Sequence, residues 1–127
     1  MTDRRSLGSA GEEAVDRWAR SVGWRVVARN WRCRAGELDL VALDGETLVV
    51  VEVKVRSLRS SEPAEWSVQA SKVRRIFRAL TEFLAAHPEH AERPCRVDLV
   101  ALTVDRSGRI VRWSHFPGSI TDDGGTE

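Results

Sequence analysis

The sequence predicts a single domain of the α/β or α+β class, with helices flanking a central mixed sheet. Three observations point there. Two segments, residues 14–22 and 67–86, carry apolar residues at helical spacing. Five short strand-like runs interleave with them in the order α-β-β-β-α-β-β. The run over 47–56 is so dense in valine that it calls for a central position, covered on much of both faces. With 127 residues, the chain holds one core and little material for a second.

Each element has its own signature. Ser9-Ala10-Gly11-Glu12 is an S-x-x-E capping box, which marks a helix start, and Leu7 before it can act as a hydrophobic staple. Ala14, Val15, Trp18, Ala19 and Val22 then share a face, and Gly23 supplies the stop. Residues 24–30 read as a short strand and 31–36 as a basic connector. Residues 37–43 alternate in part and run into Asp44-Gly45-Glu46, a hairpin signal that feeds the 47–56 strand. Residues 57–65 read as loop. The second helix follows over 67–86, with Ala70, Val73, Phe77, Leu80 and Leu84 on its stripe, and His87-Pro88 ends it. Residues 96–104 form a strand, 105–108 a turn, and 109–115 a last strand. The small, polar and acidic residues from Pro117 onward are expected to fray. The domain is therefore placed at 1–116, with a disordered acidic tail over 117–127.

Composition excludes several classes. Two cysteines, Cys33 and Cys95, make neither a disulfide framework nor a four-cysteine zinc site. No apolar run approaches the roughly 20 residues of a spanning helix, and Met-Thr-Asp-Arg-Arg-Ser leads into no apolar signal core. A cytoplasmic protein without a membrane partner is expected. The 20 basic residues nearly balance 19 acidic ones, yet all the basic residues but Lys54 and Lys72 are arginine. A chain that writes arginine for plain positive charge and keeps two lysines points to places where a compact ammonium is needed.

One of those lysines falls in a chemical constellation. A turn centred on Asp44-Gly45 pairs Asp39 with Val50; one centred on Gly45-Glu46 pairs Asp39 with Glu52. In both registers Asp39, Glu52 and Lys54 point to the same face, because side chains alternate with period two. Two carboxylates that share an apolar face repel each other and are costly to bury, and a divalent cation resolves both problems. Asp39, Glu52 and the backbone carbonyl of Val53 offer the hard oxygens that Mg²⁺ (or Mn²⁺) takes. Lys54 is not a ligand while protonated, but it can hold or deprotonate a water or neutralise phosphoryl charge. The plain alternative is an ordinary Glu-Lys pair on a polar strand face.

The surroundings suit a polyanion. Arg17, Arg20, Arg25, Arg29, Arg32 and Arg34 crowd the first third of the chain, and Lys72, Arg74, Arg75 and Arg78 open the second helix. Of the tryptophans among them, Trp18 reads as core and Trp31 as the candidate for base stacking. His87, His90 and His115 form no metal-ligand pattern, the cysteines read as inert, and Asp98 reads as structural.

Gly8 to Glu12, Asn30, Gly36-Glu37-Leu38-Asp39-Leu40-Val41, Val51-Glu52-Val53-Lys54-Val55-Arg56, Lys72 and Arg96-Val97-Asp98 together resemble the YraN-like family. It is a bacterial family related to archaeal Holliday-junction resolvases and the PD-(D/E)xK nucleases. The resemblance covers about residues 6–116. It implies a restriction-endonuclease-like, resolvase-like core and a metal-dependent phosphodiesterase site acting on nucleic acid, DNA foremost. Asp39 and Glu52 would be the motif acids, Lys54 the motif lysine and Glu12 an outer carboxylate. Gln69 or Lys72 would be an auxiliary phosphate or water contact, and Arg32, Arg34, Arg56 and Arg75 would lie on the nucleic-acid side. Leu38 stands where the superfamily pattern has proline. Resolvase relatives act as symmetric dimers on branched DNA, which raises the homodimer as an assembly to test.

Two readings follow. One is a Mg²⁺-dependent endonuclease. The other is a non-catalytic nucleic-acid-binding or protein-interaction module on a nuclease fold, whose binding would weaken with salt but need no divalent metal.

Overall fold

A computed structural model describes residues 4–58 and 68–122. Helix α1 (Arg4–Ser21) leads into strands β1 (Arg25–Arg32), β2 (Glu37–Asp44) and β3 (Thr47–Ser57). Helix α2 (Ala70–Ala86), a 3-10 turn (Pro88–His90), β4 (Cys95–Val104) and β5 (Ile110–Ile120) follow. The strands form one sheet in sequence order, β1-β2-β3-β4-β5. Short turns make β1–β2, β2–β3 and β4–β5 antiparallel, whereas the crossover through α2 makes β3 and β4 parallel. This is a mixed-sheet α+β fold with the element order that the sequence predicts.

The valine run of β3 is central because both faces are covered. Val49 and Val51 pack with Val15 and Ala19 of α1, and with Leu40, Val100 and Leu102. Leu48 and Val50 pack on the other face, beneath Val73, Ile76 and Phe83 of α2. Gly11 lets α1 sit close: a Cβ there would meet Val55 Cγ2 at 2.6 Å. The helix ends as expected at Gly23 (φ +90°). Gly23 N donates to Arg20 O at 3.1 Å and Trp24 N to Ala19 O at 2.9 Å, the paired bonds of a Schellman cap.

Several expected boundaries are corrected. Helix α1 begins at Arg4, so the S-x-x-E motif lies inside the helix and caps nothing; Glu12 is turned toward β1 and β2 instead. The expected staple by Leu7 lies outside the described side chains. Val22 falls beyond the helix end and is exposed. Strand β1 continues through Trp31 and Arg32. Trp31 packs edge-on against Phe83 of α2, with centroids 5.3 Å apart, so it lies partly buried against the α2-side core and not in a basic loop. Trp18 meets Trp24 and Trp113 in the α1-side core, as its helical spacing suggests.

Helix α2 starts at Ala70, three residues later than its apolar pattern suggests. The loop expected over 57–65 is strand and turn at Ser57 and Leu58; 59–65 and Ser67 lie outside the described residues. Strand β5 runs past Pro117 to Ile120, so the domain does not end at 116. Proline is tolerated there because β5 is an edge strand. Burial of Ser119 and Ile120 holds the strand end in the core. The tail over 123–127 lies outside the described residues. Asp98 is fully buried, as a structural role requires. Among the described residues no helix is long and apolar enough to cross a membrane.

Candidate functional site

The site begins where β2 and β3 part. Their ladder runs from Asp44↔Thr47 to Leu40↔Val51, around a Gly45-Glu46 turn in which Gly45 has φ +60°. Continued by one step, this register sets Asp39 opposite Glu52, the second of the two pairings the sequence allows. The ladder stops before that step. Val53 N–H, on the β2 side of β3, donates to the Asp39 carboxylate (Oδ2) at 2.9 Å. In a strand the N–H and C=O of one residue point to the same side, so the Val53 carbonyl faces the opening too.

Four carboxyl groups gather there. Glu12 comes from α1, and Glu37 and Asp39 come from β2. One oxygen from each of the three lies within 4.8 Å of the others. Glu52 of β3 lies beside Asp39, near enough for each carboxyl to perturb the other. Lys72 Nζ on α2 lies 3.5 Å from Glu52 Oε1. Glu52, Lys54, Val68, Gln69 and Lys72 line one open cleft, so both lysines of the chain face the same acid. Gln69 is the residue that precedes α2, which brings that helix's N-terminus to the cleft.

Crowding shifts the acids. Burial, then the charges of Asp39 and Glu37, push Glu12 up to about 7, against the pull of Arg29 and Arg32. Burial also raises Asp39 above the usual carboxylate range, opposed by the Val53 N–H and the Lys72 ammonium. Glu52 is raised by burial and by Asp39, with Lys72 opposing. A divalent cation fits this donor set. An octahedral Mg²⁺ holds neighbouring oxygens about 3 Å apart and opposite ones about 4.2 Å apart. The three clustered oxygens need only small side-chain movements to meet those separations.

The same shifts set a pH dependence. A carboxyl whose folded pKa exceeds its unfolded value stabilises the fold while protonated. That contribution is complete below the unfolded pKa, about 4. It is lost as pH rises through the folded value, near 7 for Glu12. In EDTA the melting temperature should therefore fall by about 3–6 °C from pH 5 to pH 8. The slope should be shallower in Glu12→Gln, and Mg²⁺ or Mn²⁺ should recover the loss at pH 8 but not at pH 5. A melting temperature that stays flat or rises over that interval in EDTA would contradict the crowding.

The fold thus makes two groups that meet at Asp39: Glu12 and Glu37 on one side, and Val53 and Glu52 on the other, with Lys54, Gln69 and Lys72 lining the cleft beside Glu52. Arg32 joins through Glu37, with Nε 3.1 Å from Oε2. The other arginines stand around the site. Arg34 is exposed in the β1–β2 turn, Arg75 of α2 lies against Gly36 of that turn, and Arg56 is half-buried on β3 two residues past Lys54. Sequence reasoning gives no role to two members, Glu37 and Asn30, although both stand among the residues that carry the resemblance. The E-x-D spacing of Glu37 and Asp39 was the available signal for the first. Asn30 approaches both Glu12 and Glu37, which only the β1–β2 pairing reveals.

Comparison with known proteins adds a family. The model described as "Uncharacterised protein family UPF0102" matches residues 11–102, a span that includes Glu12, Asp39, Glu52, Lys54 and Lys72. A UPF0102 protein of Beutenbergia cavernae is 46% identical over 119 residues, 93% of this chain and 98% of that one. One of Chloroflexus aurantiacus is 38% identical over 122 residues, 96% of this chain and 98% of its own. Among solved structures, that of Pyrococcus furiosus SfsA in complex with Ca²⁺ aligns with 91% of this chain at 17% identity and a TM-score of 0.44. The present chain spans 64% of that structure's length.

Proposed function

The chain belongs to the UPF0102 family, and from that premise and the geometry of its acidic cleft we propose that it is a divalent-metal-dependent endonuclease. Its substrate would be the phosphodiester bonds of nucleic acid, DNA foremost, with branched DNA among the forms it cuts. One observation carries the reading: the chain's two lysines line one cleft with Glu52, beside Asp39, whose carboxylate accepts from the Val53 N–H just past the end of the β2–β3 ladder.

Asp39, Glu52, Glu12 and the Val53 carbonyl would hold Mg²⁺ or Mn²⁺, with Glu37 as a further oxygen donor. A cation bound there would stabilise the charge that builds on the phosphoryl group. Lys54, exposed at the cleft two residues beyond Glu52 on the same strand face, would donate hydrogen bonds to the attacking water. Lys72 and Gln69, at the N-terminal end of α2, would meet a phosphate oxygen, where the helix dipole also favours an anion. Arg32, Arg34, Arg56 and Arg75 would contact flanking phosphates. Such contacts set position rather than sequence.

The test is cleavage of four-way junction, splayed and linear DNA, and of RNA, in Mg²⁺, Mn²⁺ or EDTA. Glu52→Gln and Lys54→Ala are run in parallel. Cleavage should need the metal and fall by about 10²–10⁴ in each variant. No cleavage of any substrate, with binding that weakens in salt and ignores EDTA, would make the protein a binding module instead. Size-exclusion chromatography with and without junction DNA would read whether two copies act together.

A further inference from the structure

We propose that Asn30 is a positioning residue of the cleft: its amide ties Glu12 on α1 to Glu37 on β2 and so sets the spacing of the acids. The inference rests on the reading of those acids as a cation site. Asn30 is the chain's single asparagine. It lies on β1 between the pairs Arg29↔Leu40 and Trp31↔Leu38, which sets it opposite Asp39. With its amide nitrogen toward the acids, that nitrogen lies 2.8 and 2.9 Å from the two Glu12 oxygens and 3.2 Å from Glu37 Oε1. The reverse orientation would press the amide oxygen against three carboxylate oxygens, so the nitrogen faces them.

The backbone agrees. Asn30 has φ +50° and is the only non-glycine residue at positive φ among the described residues. Most side chains avoid this left-handed conformation, and asparagine tolerates it best. It occurs here in the middle of a strand, with ladder pairs on either side. Sparsely populated backbone of this kind collects at functional sites. The chemistry fits the position. Arg29 and Arg32 flank Asn30 and could supply a stronger donor, but a guanidinium would compete with a cation for the carboxylates. A neutral amide holds two carboxylates together and leaves each oxygen a second lone pair.

Two measurements test this. The chain has one asparagine and one glutamine, Gln69, so a nitrogen–proton correlation spectrum holds only two side-chain amide pairs. The Asn30 pair should sit away from the free-amide position and return toward it in Glu12→Ala. In Asn30→Gly the left-handed backbone is kept and the amide is lost. Relief of the left-handed backbone's strain and loss of the amide's hydrogen bonds oppose each other, so its melting temperature should stay within about 5 °C of the parent's, while Mn²⁺ affinity by calorimetry falls about tenfold. The Mg²⁺ needed for half-maximal cleavage should rise by the same factor with little change in the maximal rate. If Asn30→Gly keeps its Mn²⁺ affinity within about twofold while Asp39→Asn loses it, Asn30 does not position the acids although the cation site stands. If the unaltered protein binds no Mn²⁺, the cation site and this inference fail together.

Discussion

Asp39→Asn should lower metal-dependent cleavage by about 10³-fold and remove measurable Mn²⁺ binding, yet leave the protein at least as stable at pH 8. The three effects separate because Asp39 does two jobs. Its Oδ2 accepts from Val53 N–H at 2.9 Å where the β2–β3 ladder ends. An asparagine oxygen can keep that bond, so the opening between the strands should survive. The carboxylate's charge is another matter. It raises both Glu12 and Glu52, and burial holds Asp39 itself above its ordinary range. Removing one negative charge from four crowded acids relieves repulsion in the cation-free protein. It also removes the one acid that belongs both to the Glu12–Glu37 cluster and to the pair with Glu52. Chemical melts at pH 8 in EDTA, calorimetry with Mn²⁺ and a cleavage assay read the three effects. Activity within tenfold of the parent would remove Asp39 from the site. A melting temperature many degrees lower would make it mainly a structural bond.

How legible this was differs residue by residue. The convergence of Asp39, Glu52 and Lys54 follows from strand period and a tight turn, both local properties. The observed Gly45-Glu46 turn is one of the two that the sequence allows. The central place of β3 was legible from valine density, since only a strand covered on both faces tolerates such a run. Glu37 was only partly legible: its E-x-D spacing with Asp39 marks it, but its place in the site depends on where the ladder stops. Asn30 stands among the motif residues, but its role was not legible because nothing local in Ala-Arg-Asn-Trp marks a left-handed residue inside a strand. The S-x-x-E motif misled for a related reason. Spacing alone cannot tell a glutamate that caps its own helix from one that reaches across to β1 and β2. The frayed tail misled because Pro117 and Gly118 look like chain breakers. Their edge position and the bond from Gly118 N to Asp98 make them part of a strand.

That bond belongs to the last large effect. Asp98→Ala should destabilise the fold by about 3–5 kcal/mol, a melting shift of roughly 10–20 °C, while leaving Mn²⁺ affinity unchanged within about threefold. The Asp98 side chain is 0% exposed and accepts from three donors. They are Arg96 Nε at 3.0 Å, His115 Nε2 at 2.8 Å and Gly118 N at 2.8 Å. Each donor is fastened elsewhere. Arg96 also reaches Asp44 Oδ2 at 3.4 Å and lies over the Trp24 ring at 5.4 Å. His115 stacks edge-on against Trp18 at 4.8 Å and Trp24 at 5.9 Å. One carboxylate thereby joins β4, the irregular end of β5, the β2–β3 turn and the tryptophans of the α1 face. Alanine would strand three donors at once, and an unpaired buried donor costs more than the bond itself gained. Asp98→Asn keeps the shape and one acceptor oxygen, so it should lose about half as much. The cleft should not register either change. Asp98 pairs with Val51, whose side chain faces α1, whereas Glu52 beside it faces the α2 side. If Asp98→Ala melts within about 2 °C of the parent but loses Mn²⁺, Asp98 belongs to the cleft and this network is not what holds β5 in place.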